Sequence, residues 1–70
     1  MFSGKKLHDL RVQKGLTQAR LAQMTGLNSP SAVTMYESGE RTPPANKLPE
    51  LARILGCSID DLFAKEEQTA

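Results

Sequence analysis

Seventy residues, 39% hydrophobic and 4% aromatic, suffice for one domain with one small core. The single Cys57 excludes an internal disulfide, and with His8 the only histidine a zinc site is excluded as well. The formal net charge of +1 argues at first against a polyanionic partner. The charge is segregated, however. Residues 1–47 carry seven basic and three acidic side chains, whereas residues 48–70 carry two and five, as in a molecule that turns one end toward phosphate. A chain this small without staples needs an efficiently packed helical core or a partner subunit. Neither a signal peptide nor a membrane-length apolar run is expected, so the expected location is cytoplasmic, with a reduced thiol.

The first helix is predicted over residues 4–14, with Ser3 as its N-cap and Gly15 as the left-handed residue that ends it. Leu7, Leu10, Arg11 and Lys14 share one stripe at three- and four-residue spacing. Arg11 is the odd member. A desolvated charge on an apolar stripe is costly without a fixed carboxylate beside it.

The second helix opens at Thr17, whose hydroxyl can accept a backbone N–H that has no partner within the helix. Leu16 before it and Leu21 at the fourth helical position have the spacing of a hydrophobic staple. Leu21 and Ala22 face inward, Gln18, Arg20 and Gln23 face outward, and Gly26 closes the helix. The third helix opens at Asn28-Ser29-Pro30-Ser31. Pro30 fits the first helical position, which makes Ser29 or Asn28 the cap. Val33 and Tyr36 form its inward side; Ser31, Thr34, Met35 and Ser38 lie outward; Gly39 ends it. Residues 17–39 therefore read as two short helices joined by a tight turn, the second with small polar residues along its outer side. That arrangement suggests a helix placed in a DNA groove.

Residues 40–46 form a loop stiffened by Pro43-Pro44. A fourth helix follows over residues 47–55, capped by Asn46, with Pro49 in its first turn and Leu48, Leu51, Ala52 and Leu55 as its buried stripe. Ser58 and Asp61 have the spacing of a capping box opening a short fifth helix at 59–64, where Ile59, Leu62 and Phe63 cover the core. Residues 1–64 make up the domain; residues 65–70 have no apolar anchor and form a frayed tail. No repeat, low-complexity tract or strand alternation is found.

Taken in order, these residues resemble the phage repressor and Cro-type helix-turn-helix family of bacterial transcription regulators. The resemblance spans residues 6–63. It rests on Leu10-Arg11, Lys14-Gly15-Leu16-Thr17-Gln18, Leu21-Ala22, Gly26-Leu27, Val33, Tyr36-Glu37-Ser38-Gly39, Arg41-Thr42-Pro43, Leu51-Ala52, Leu55-Gly56-Cys57-Ser58 and Asp61-Leu62-Phe63. It implies an all-α, five-helix, lambda-repressor-like domain that binds double-stranded DNA. The third helix would enter the major groove while the start of the second rests on the backbone. No cofactor and no membrane are implied. The expected assembly is a homodimer on a pseudo-palindromic site, with helix 5 and the apolar residues at 59–63 as its contact surface.

By position in the resemblance, Thr17, Gln18 and Arg41 contact the DNA backbone, which positions the protein without reading sequence. Arg11 and Glu37 match a salt bridge that holds the recognition helix at its angle, which would resolve the lone Arg on the apolar stripe. Ser29, Ser31, Thr34 and Met35, with Asn28 as a further candidate, are the expected base readers. Two departures stand out. Gly26 to Glu37 is eleven steps, one more than is usual in the family, and the extra residue falls within 27–29. Pro30 also occupies the first recognition position, where the family often has a glutamine that pairs with adenine.

Blander readings stand beside these. Gln18 is also a good exposed helix former, Asn28 also suits a turn, and Met35 could belong to a partner-binding patch. Cys57 reads as a small buried apolar residue with nothing nearby to lower its pKa, Tyr36 as a core aromatic, and His8 as an exposed residue without a site. An enzyme reading fails, because His8-Asp9 point different ways on one helix and no nucleophile sits in an activating turn. The alternatives within reach are an antitoxin or restriction-control regulator, or a protein-interaction module built on the same helices.

Overall fold

The computed structural model describes residues 1–27 and 29–64, and the tail foreseen at 65–70 lies outside the described residues. Among the described residues four α-helices follow one another: α1 (Gly4–Gln13), α2 (Gln18–Met24), α3 (Pro30–Ser38) and α4 (Leu48–Leu55). Single 3-10 turns at Ala45–Lys47 and Ile59–Leu62 flank α4. Local chemistry sets the starts. The Ser3 hydroxyl accepts from the Lys6 N–H at 3.2 Å, and the Thr17 hydroxyl from the Arg20 N–H at 3.0 Å. Ser58 and Asp61 form a reciprocal capping box, each side chain accepting from the other's backbone N–H.

The turn between α2 and α3 begins with a Schellman closure, for which Gly26 adopts φ +75°. The Gly26 N–H donates to the Gln23 carbonyl at 3.3 Å, and the Leu27 N–H to the Ala22 carbonyl at 2.8 Å. The buried Thr25 hydroxyl donates back to the Leu21 carbonyl at 2.9 Å. The Leu21, Ala22 and Gln23 carbonyls at this helix end are therefore satisfied inside the fold.

The core takes one fully buried side chain from each α-helix and one from the last 3-10 turn: Leu7 from α1, Leu21 from α2, Val33 from α3, Leu51 from α4 and Leu62 from the turn. Ala22, Tyr36, Ala52 and Leu55 complete it. Burying each large aliphatic side chain contributes about 1.5–3 kcal/mol, and truncating one to alanine would cost about 2–5 kcal/mol. In so small a domain, a single such change removes a large part of the total stability.

The first residues of the chain meet the segment after the last 3-10 turn. The Ser3 N–H donates to the Leu62 carbonyl at 2.8 Å, and the Ala64 N–H to the Met1 carbonyl at 2.9 Å, around an antiparallel bridge between Phe2 and Phe63. The two rings pack edge to face, with centroids 6.1 Å apart.

Three expectations are corrected here. The fifth helix is a four-residue 3-10 turn, because the Leu62 carbonyl is committed to Ser3 and Phe63 is extended to pair with Phe2. Ile59 is 40% exposed and does not cover the core; Leu62 alone of that segment is buried in it. Asn46 is not the cap of α4. The Lys47 N–H donates to the Pro44 carbonyl at 2.9 Å, winding the chain into the 3-10 turn before Asn46 can take the extended form of a cap. Among the described residues, no helix is long and apolar enough to cross a membrane.

Candidate nucleic-acid interface

α3 packs on both α2 and α1. Its C-terminal end meets the start of α1 backbone to backbone: a Cβ on Gly4 would overlap the carbonyls of Tyr36 and Glu37. Glycine at this position lets the two helix ends approach closely.

Beside that contact lies a charge cluster. Arg11 Nε donates to Glu37 Oε2 at 2.6 Å and Arg11 Nη2 to Glu37 Oε1 at 3.2 Å, a two-pronged pairing of fork and carboxylate. The side chains are 11% and 7% exposed. Arg11 Nη1 also donates to the Leu16 carbonyl at 2.7 Å, so one guanidinium ties α1, the entry to α2 and the end of α3. Burial by itself would push the Glu37 carboxyl up. Hydrogen bonds from Arg11, Gln18 and His8, with the Arg11 charge, outweigh it and hold the group below its ordinary value of 4.5.

His8, read from the sequence as a residue without a site, belongs to this cluster. Its Nδ1 is 3.2 Å from Glu37 Oε1 and 3.2 Å from Arg11 Nη2. The three-residue spacing to Arg11 on one helix was the available signal. Gln18 also departs from the expected outward orientation and is half-buried. Its Nε2 donates to Glu37 Oε1 at 3.0 Å, and its Oε1 accepts from the Thr34 hydroxyl at 2.8 Å. The first residue of α2 thus bridges the buried ion pair and the outer face of α3.

The remaining candidate residues distribute unevenly. Thr17 and Ser29 line one open groove with Arg20, Gln23, Leu27 and Pro30. Thr17 spends its oxygen on the α2 cap, whereas Ser29 makes no capping hydrogen bond at the start of α3. Ser31 and Thr34 are exposed, as is Ser38. Met35 is half-buried, so only part of it reaches the outer face. Asn28 lies outside the described residues. Arg41 is exposed and has no ion pair among the described residues; its backbone N–H donates to the Met35 carbonyl at 3.2 Å, which holds the loop against the end of α3.

Other basic residues are engaged within the fold. Lys47 Nζ donates to the Thr25 carbonyl at 2.8 Å, at the negative end of α2, and lies 3.5 Å from Glu50. Lys5 pairs with Asp9 at 3.3 Å. Cys57 is half-buried rather than buried; burial, then the Asp61 charge, raise its thiol against a smaller lowering by Lys14. The expectation that nothing near it would lower its pKa is corrected by that lysine.

The family model described as helix-turn-helix matches residues 7–62. The transcriptional regulator PuuR of Escherichia coli is 34% identical over 65 residues, 93% of this chain. The match covers 35% of PuuR, so the chain spans about a third of that relative's length. Among solved structures, the restriction-modification controller protein C.AhdI from Aeromonas hydrophila is 37% identical with a TM-score of 0.78, covering 86% of each chain. The P22 c2 repressor, solved in complex with a synthetic operator, superposes with a TM-score of 0.84 at 29% identity, covering 94% of this chain and 98% of that one.

Proposed function

Because the chain belongs to the helix-turn-helix family, we propose that it binds double-stranded DNA sequence-specifically as a transcriptional regulator of the repressor type, with α3 in the major groove. The observation that carries this reading is the match, over nearly the full length of both chains, to a repressor solved on operator DNA. The shape and chemistry of α3 agree with it. Its inner face is anchored by Val33, Tyr36 and Glu37, while its outer face offers small polar side chains of the size that reaches base edges.

In this assignment Thr17, Gln18 and Arg41 lie on the backbone, with the second Nε2 proton of Gln18 available to a phosphate oxygen. Ser29, Ser31 and Thr34 face the bases, and the accessible part of Met35 supplies apolar contact to a thymine methyl. Asn28 would be a further reader, since an asparagine can bond adenine in a bidentate way. Arg11 and Glu37 hold the helix at its angle. One module of this size makes few contacts, so the binding unit is a homodimer on a pseudo-palindrome, with recognition helices about 34 Å apart. The exposed Ile59 supports the 59–63 end as the dimer surface. The protein works in the cytoplasm, where its DNA target is.

The similarity to a restriction-modification controller favours a second reading, in which the same binding serves the promoter of such a system. The two differ in target rather than in contact chemistry. Selection of bound sequences from a random duplex pool tests the proposal. Enrichment of two half-sites in inverted orientation, about 10 base pairs apart centre to centre, is the expected result; a pool that stays random contradicts it.

A further inference from the structure

The DNA-binding assignment above leaves open what kind of base each α3 side chain would accept. We propose that Thr34 reads DNA as a hydrogen-bond acceptor only, because a relay of hydrogen-bond polarity running from Glu37 through Gln18 commits its hydroxyl proton inward. The inference rests on the DNA-binding reading and deepens it.

The relay follows from what each group can donate. Glu37 is paired with Arg11 through both carboxylate oxygens, and an ionised carboxylate can only accept. The Gln18 amide atom 3.0 Å from Glu37 Oε1 must therefore be its nitrogen. That fixes the opposite atom of the amide, facing Thr34, as the carbonyl oxygen. An amide oxygen also only accepts, so the 2.8 Å contact requires the Thr34 hydroxyl to be the donor. The other partner within reach of that hydroxyl is the Pro30 carbonyl at 3.2 Å, again an acceptor. Whichever it takes, the one proton points into the protein. Exposed Thr34 then offers the groove only lone pairs and a methyl group.

In the major groove, an acceptor matches the exocyclic amines of adenine and cytosine, and the methyl group matches that of thymine. The O6 and N7 of guanine, and the O4 of thymine, are left without a donor. Ser31 differs. Its hydroxyl has no partner among the described residues, so it can donate or accept. The same relay leaves Gln18 one amide proton for a phosphate, so that backbone contact and base choice are coupled through one side chain.

The test compares the base preferences of the wild type, Thr34→Val and Thr34→Ser on a random duplex pool. Thr34 is exposed, so neither variant should perturb the core, and circular dichroism confirms the fold. At one position in each half-site, the wild type and Thr34→Ser are expected to favour by about five- to tenfold the base pair whose amine-bearing base lies on the strand facing Thr34, and Thr34→Val to lose that preference. Replacing that base by its analogue without the exocyclic amine should bring wild-type affinity, read by fluorescence anisotropy, down to the Thr34→Val level. If Thr34→Val weakens every sequence equally, or if removing the exocyclic amine from the altered base pair leaves wild-type affinity unchanged, the inference is overturned while the DNA-binding reading stands. If the wild type enriches no sequence at all, both fall together.

Discussion

The C-terminal end of α3 is enclosed by the Gly4 backbone contact, the Arg11–Glu37 pair and the Arg41 loop. Its N-terminal end begins at Ser29 and Pro30 with no capping hydrogen bond and borders an open groove. One helix thus has an over-determined end and a lightly held end. The first sets the angle of the helix, and the second follows the turn after α2 and carries Pro30 at its first position. The enclosed end and the outer face meet at Gln18, which bonds Glu37 through its amide nitrogen and Thr34 through its amide oxygen.

Breaking the enclosed end should cost most. Arg11→Ala leaves the Glu37 carboxylate buried against Gln18 and His8 alone, and a loss of about 3–4 kcal/mol in urea denaturation is expected. A midpoint unchanged from wild type would mean the pair is solvated. Gly4→Ala should destabilise by about 2–3 kcal/mol, because its methyl group overlaps backbone carbonyls that move only if α1 and α3 separate. A thermal melt within a degree of wild type would show that the helix ends are not in contact.

The two N-caps sharpen the comparison at smaller scale. Thr17→Ala removes a 3.0 Å capping bond and should cost about 1 kcal/mol, whereas Ser29→Ala should cost no more than a few tenths. Equal losses would place a hidden bond on Ser29. Acidification probes the enclosed end when wild type is compared with a variant at Glu37. Glu37 is depressed in the folded state, so its contribution to stability is present above the unfolded value of about 4.5 and is lost as pH falls through the folded value. Glu37→Gln should therefore show a shallower loss of stability below pH 4.5 than wild type.

Much of the enclosed end was legible in the residues. Ser3, Thr17 and the Ser58–Asp61 box act within a few positions of themselves, and the buried stripes repeat with the helical period. The lone Arg11 on an apolar stripe demanded a carboxylate, and the family resemblance named Glu37. Contacts between distant segments carried no such mark. The Phe2–Phe63 bridge involves single residues, the Gly4 approach depends on a missing side chain, and the Gln18–Thr34 bond joins two residues that each looked free. Asn46 misled for a different reason. Its type suits a cap, but the preceding Pro44 carbonyl captures the Lys47 N–H first.

The central claim is that the outer face of α3 and its flanking residues hold duplex DNA. The salt dependence of affinity for a selected duplex tests it most directly. A steep linear fall of log K with log salt is expected, with a slope reduced by about one for Arg41→Ala. Affinity independent of salt, or no binding at low salt, would contradict it.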